Sequence, residues 1–166
     1  DLLFGAFITP VAAPARQAVE LTVTAESAGL DLAAFQDHPY QPRFLDTWTL
    51  LSYAAAHTSR IRLVPDVLNL PLRQPVVVAR SAASLDLLSN GRLELGLGTG
   101  AFWDAIVAAG GERLSAGDAV TGLEEAMRII RGVWDTASTT PLRVDGKIHR
   151  VIGAKRGPAP AHDVGI

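Results

Sequence analysis

The sequence predicts a parallel α/β fold, and three observations carry the prediction. Short apolar runs at 2–8, 30–35, 61–64 and 92–97 alternate with longer stretches of helical period. The first three are apolar almost throughout, as in strands covered on both faces. Each run ends in proline, glycine or a polar cluster, so one strand–loop–helix unit recurs and helices cover a parallel sheet.

Composition narrows the class. The 166 residues, 48% hydrophobic with a formal net charge of −2, suffice for one domain, 1–166, with a sizeable core. Balanced charge without a basic run argues against nucleic acid or an anionic membrane as main partner. The absence of cysteine excludes disulfides, thiolate zinc and thiol catalysis, and fits a reducing cytoplasm. No run approaches the roughly 20 apolar residues of a membrane span, and the first residues lack a signal-peptide pattern. Asp1 in place of methionine, and Ile166 at the start of an apparent strand, predict a longer polypeptide.

Taken in order, Leu2 to Ile8 is a buried strand. Pro14 opens a helix with Ala18, Leu21, Ala25 and Ala28 on one face, and Gly29 follows its end. Leu30 to Phe35 is the second strand. Asp46 caps a helix from Thr47 to His57. Ile61 to Val64 is the third strand, with Pro65 at its end. Gln74-Pro75 starts a helix that runs to Leu88, with proline in the favoured first position. Asn90-Gly91 stops it, and Arg92 to Leu97 forms the fourth strand before a glycine run. A helix spans Asp118 to Trp134, with Leu123, Ala126, Met127, Ile130, Val133 and Trp134 on its buried stripe, capped by Asp118 or a Thr121–Glu124 box. Residues 141–151 form a hairpin about an Asp145-Gly146 turn. Residues 154–163 are a Pro/Gly-rich connector, and Val164 begins a fifth strand. Two architectures remain: a doubly wound sheet, or a (β/α)8 barrel. A complete barrel needs roughly 250 residues, so the chain would hold about half of one.

In either architecture, function gathers at the carboxyl ends of the strands. Those ends carry Phe7 and Pro10; Asp37 and His38; Asp66 and Asn69; and Gly98, Thr99, Gly100 and Trp103. Asp37-His38 is the chemical pair, because an imidazole donates, accepts or carries a proton near neutral pH. The competing reading makes Asp37 a loop cap and His38 a partner of the backbone. Asp66 and Asn69 also suit turns. Glycines past a strand let a flat or phosphorylated ligand approach the backbone. Gly96 to Ala101 satisfies G-x-G-x-x-A, yet no acidic residue follows at a strand end about 20 residues on, as a dinucleotide site requires. Trp48 and Trp134 read as core. His57 reads as a solvated helix end, and His149 and His162 as surface residues. The histidines show no i, i+4 pairing, so no metal site is expected.

Several stretches together resemble the luciferase-like flavin-dependent oxidoreductases. They are Ala25-Glu26-Ser27-Ala28-Gly29-Leu30-Asp31, Asp37-His38, and Thr58-Ser59-Arg60-Ile61-Arg62-Leu63. Pro75 with Ala79-Arg80, Leu85 to Arg92, Gly96 to Gly100, Glu124-Glu125-Ala126 and Trp134 complete the set. The resemblance implies the (β/α)8 TIM barrel, with the first four βα units plus a hairpin insertion present. It implies reduced FMN or, alternatively, coenzyme F-420 at the strand ends. The ring would be backed by a non-proline cis peptide at Asp66-Val67 and reached by Asn69. Gly98, Thr99 and Gly100 would form the floor beside Phe7 and Trp103. Two departures qualify it: Ala101 stands where the deazaflavin sugar-phosphate dehydrogenases place a glutamate acid, and Thr99 where luciferase has an arginine. The leading expectation is a monooxygenase that uses reduced flavin and oxygen on a small organic substrate, with His38 moving a proton. Oxygen-independent hydride transfer with coenzyme F-420 and a non-catalytic flavin-binding or dimerising barrel are the alternatives. A homodimer and a separate flavin reductase are the expected partners.

Overall fold

A computed structural model describes residues 2–166. Three strands, β1 (Gly5–Ile8), β2 (Leu32–Phe35) and β3 (Arg62–Pro65), pair in parallel in the order of the chain. The backbone then makes a bulge at Asp66-Val67, whose joining peptide is cis as expected, and resumes as β4 (Leu68–Asn69). The fourth strand follows this interrupted third one. The Leu63 N–H donates to Arg92 O, and the Leu68 N–H donates to Gly96 O. Beyond that, Leu68 and Asn69 pair in parallel with β5 (Leu97–Gly98). The Leu95 N–H reaches Gly165 O at 2.9 Å, so residues 164–166 lie where a fifth strand belongs. Strand order without reversal resolves the two architectures. A doubly wound sheet reverses direction at a switch point, whereas a barrel keeps neighbours sequential. The molecule is an open half of a (β/α)8 barrel.

The helices form where local signals are strong. Helix α2 (Thr47–His57) starts at Asp46, whose carboxylate accepts the Thr49 N–H at 2.9 Å. Helix α3 (Pro75–Leu88) carries proline in its first turn. Helix α1 spans Gln17–Ser27, and Pro14 lies in the turn before it and not in its first turn as expected. Its buried face is Ala18, Val19, Thr22 and Ala25; Leu21 and Ala28 are exposed, a rotation from the expected stripe. A short helix that the sequence did not signal, α4, covers Trp103–Ala108. Helix α5 (Ala116–Trp134) is capped by Ser115, which accepts the Asp118 N–H, so neither expected cap is used. Its buried stripe includes Ala119, Glu125 and Ile129, while Leu123 and Met127 are half-buried. Helices α3 and α5 pack side by side, with the buried Trp134 indole donating to Ala79 O at 2.8 Å.

Strands β6 (Leu142–Asp145) and β7 (Arg150–Ala154) make the hairpin, but with a longer turn than Asp145-Gly146 implies. Residues 146–149 wrap the buried Glu125 carboxylate, which accepts the N–H groups of Lys147, Ile148 and His149 at 2.7–3.0 Å. A Cβ at Gly146 would lie 2.3 Å from that carboxylate carbon. Burial works against the charge on Glu125, but these N–H groups hold its pKa below the ordinary value. The connector is tied down by Arg80, which donates to Gly157 O and Lys155 O, and by Asp86, which accepts from Ala161 and His162.

Candidate functional site

Alternation along the strands decides what faces the open side. Ala6, Ile8, Ala33, Phe35 and Leu63 pack into the core under the helices. Their neighbours Phe7, Ala34 and Val64, paired in register, therefore occupy the opposite face, the lumen of the half barrel. Phe7 is 58% exposed there. At the carboxyl ends, Val67 on the bulge and Phe102 past the glycines are 44% and 58% exposed. The result is an apolar ledge around a few polar atoms, the usual composition of a small-molecule site.

Asp37 and His38 follow β2 directly but do different work. Asp37 is buried, and its carboxylate takes two hydrogen bonds of 2.7 Å from the Arg73 guanidinium and one of 2.9 Å from the Asn69 N–H. Arg73 also binds Asp46 at 2.9 Å. Burial alone would depress the pKa of Arg73, and the two carboxylates raise it overall. Asp37 thus ties the end of β2 to β4 and to α2. Its partner is Arg73, not His38, so the expected Asp37–His38 pair is absent as a hydrogen bond.

His38 turns to the open side. Its Nδ1 lies 3.0 Å from Tyr40 Oη. The Phe44 and Phe102 rings pack against it with centroids at 6.2 and 5.5 Å. Phe102 lies two residues past Gly100, so the imidazole and the glycine run share one end of the barrel. Burial raises the Tyr40 pKa, the Asn69 amide opposes this, and the nearby Asp37 charge adds to it. Asn69 is 7% exposed, yet its Oδ1 has no hydrogen-bond partner. A buried acceptor left unpaired costs about 1–3 kcal/mol, and such atoms are rare in native proteins.

The glycines make room first for the protein itself. A Cβ at Gly96 would lie 2.4 Å from Pro65 O, and one at Gly98 would lie 2.5 Å from Val67 Cγ2. Gly100, at φ +95°, faces Pro71 and Trp103. The run thus seats the Asp66-Val67 bulge, and Val67, not bare backbone, stands over Gly98. Asp66 is exposed, and Trp103, half-buried, packs at the start of α4. Thr99 belongs to a neighbouring cleft of about 230 Å³, shared with Gln74, Glu112 and His149. His149 is therefore no surface residue; burial lowers its pKa and the Glu125 charge opposes that shift. His162 is also engaged, with Nδ1 3.1 Å from Asp86 Oδ2 at the opposite end of the strands. Sequence reasoning missed Tyr40, Arg73 and His149. Among the described residues no group of three or more potential metal ligands converges.

Comparison with known proteins agrees with this geometry. Residues 3–164 match the sequence pattern of the luciferase-like monooxygenases. An F420-dependent glucose-6-phosphate dehydrogenase of Amycolatopsis mediterranei (strain U-32) is 30% identical over 157 residues, which cover 91% of this chain and 46% of that protein. The structure of an F420-dependent secondary alcohol dehydrogenase superposes with a TM-score of 0.85 at 22% identity, over 98% of this chain and 51% of that one. The coenzyme F420 dependent tetrahydromethanopterin reductase of Methanopyrus kandleri gives 0.81 at 23% identity, over 97% and 47%. The chain spans about half the length of the relatives it matches.

Proposed function

The chain belongs to the luciferase-like monooxygenase family, and from that premise we propose that the protein is an oxidoreductase that holds a flavin-type ring at the carboxyl ends of its strands. The first reading is coenzyme F-420, with hydride transfer to or from a small organic substrate. The observation that carries it is the unpartnered Asn69 Oδ1, linked to His38 through Tyr40, at strand ends that expose Phe7, Val67 and Phe102. A planar ring with an N–H at its edge satisfies such a site: apolar contact covers its faces, and the orphan acceptor takes its donor. When bound, the ring would donate or accept the hydride. Relatives named for F420 dependence support the deazaflavin over the FMN that the sequence reading put first.

The chain's own residues bind, orient and move a proton. Val67 and the glycine run form one wall, and Asn69 fixes the ring's rotation. His38 exchanges a proton or hydrogen bond with the substrate's reacting oxygen. The Asp37–Arg73–Asp46 network holds the loop that carries His38, so that loop starts from a fixed point. Glucose 6-phosphate is disfavoured as substrate, because Ala101 replaces the glutamate acid implied by the resemblance.

The second reading is a monooxygenase that uses reduced FMN and oxygen, supplied by a separate flavin reductase. The missing glutamate favours it. Assaying the full-length protein with oxidised and reduced coenzyme F-420 and with reduced FMN, each with a panel of small alcohols and carbonyl compounds and with and without oxygen, separates the readings. Turnover of coenzyme F-420 without oxygen uptake is expected. Oxygenated substrate formed with reduced FMN and oxygen, beyond the uptake that free reduced FMN shows by itself, would replace the first reading by the second, and binding without turnover would sink both enzymatic ones.

A further inference from the structure

We infer that Tyr40 is a positioning residue: its hydroxyl holds His38 in the tautomer with the proton on Nε2, so the imidazole presents a donor to the molecule bound beside it. The 3.0 Å contact between Tyr40 Oη and His38 Nδ1 does not by itself say which group donates. The surroundings decide. Burial and the Asp37 charge keep the phenol protonated at neutral pH. Among the described residues the Tyr40 hydroxyl has no hydrogen-bond partner but His38 Nδ1, so its proton has that one acceptor; an Asn69 NH₂ turned to Oη, the contact that works against the raised Tyr40 pKa, leaves the proton there. In this orientation Asn69 Oδ1 is the buried atom without a partner, available to a ligand's N–H or O–H.

The reverse arrangement is equally definite. With the amide turned over, Oδ1 would accept the Tyr40 O–H, Oη would accept from His38 Nδ1–H, and Nε2 would present a lone pair. The ligand's donor and the histidine's tautomer are therefore linked through one phenol. Among the described residues the ring makes no other hydrogen bond: Phe44 and Phe102 pack on it, and Asp37 is occupied by Arg73 and the Asn69 N–H. The inference rests on the function proposed above only for what the ligand is. The tautomer itself belongs to the free protein.

Nitrogen-15 spectra of the four histidines in the full-length protein test this, with His38 assigned by the signal lost in His38→Gln. With the ring neutral, wild type should show a pyrrole-type Nε2 and a pyridine-type Nδ1. In Tyr40→Phe the two nitrogens should move toward a common averaged position. In Asn69→Asp, whose carboxylate only accepts, the tautomer should reverse to Nδ1–H. A wild-type Nδ1–H, or an identical tautomer in both variants, overturns the proposal. Failure to bind either cofactor with the tautomer as described would count against the function reading alone.

Discussion

The two ends of the strands are built on opposite principles. At the amino end, buried polar atoms are paired. The Arg92 guanidinium donates to Ser89 O, Ala55 O, Ile61 O, Thr58 O and Thr58 Oγ1 at 2.8–3.1 Å. The Glu26 carboxylate accepts the N–H groups of Ser59, Arg60 and Ile61, and Asp86 accepts those of Leu93, Ala161 and His162. At the carboxyl end, Asn69 Oδ1 is buried and unpaired, and aromatic rings face the open side. One end spends its polar groups on the fold, while the other holds one in reserve. This division separates stability from function in barrels of this kind.

The comparison can be broken at the amino end first. Arg92→Ala strands several buried carbonyls and should cost on the order of 3 kcal/mol or more, read as a lowered denaturation midpoint. A loss under about 0.5 kcal/mol, the range of an ordinary surface change, would contradict the division. Gly96→Ala tests the join between the two ends. Its Cβ meets a backbone oxygen, which cannot step aside, so a loss of about 1–3 kcal/mol is expected together with a displaced bulge and weaker cofactor binding.

Acid should act at the amino end too. Burial pushes the Glu26 pKa up, but the Ile61, Arg60 and Ser59 N–H groups bring it below its ordinary value. A depressed folded pKa contributes stability that is complete above the unfolded value, about 4.3, and is lost as pH falls through the folded one. The protection of amides 59–61 from exchange, taken against their intrinsic rates, should therefore fall in that acid window, and Glu26→Gln should remove the dependence.

Most of the fold was legible because its signals are local. Asp46 caps α2, Pro75 opens α3, and the glycine run follows strand four within a few residues of one another. Helix α4 was not, since six residues without a capping side chain carry no pattern. The hairpin turn was misjudged because Glu125, 22–24 residues away, decides it. The site divides similarly. His38 and Asn69 stood out by position at strand ends. Arg73 lies 36 residues from Asp37, and nothing local announces the pair. Tyr40 carries no local signal, since its part in the site depends on His38 and on the Asn69 amide across the bulge. Thr99 and His149 meet only because the hairpin folds back along α5.

On the proposed function, Asn69 Oδ1 is held for a ligand and not for the fold. The most direct measurement is Asn69→Leu in the full-length protein, followed by thermal denaturation and by titration with coenzyme F-420 and FMN. The change removes an unpaired buried acceptor together with the NH₂ contact to Tyr40, so stability should move by less than about 1 kcal/mol while cofactor affinity falls at least tenfold. A destabilised protein that binds cofactor as tightly as wild type would contradict it.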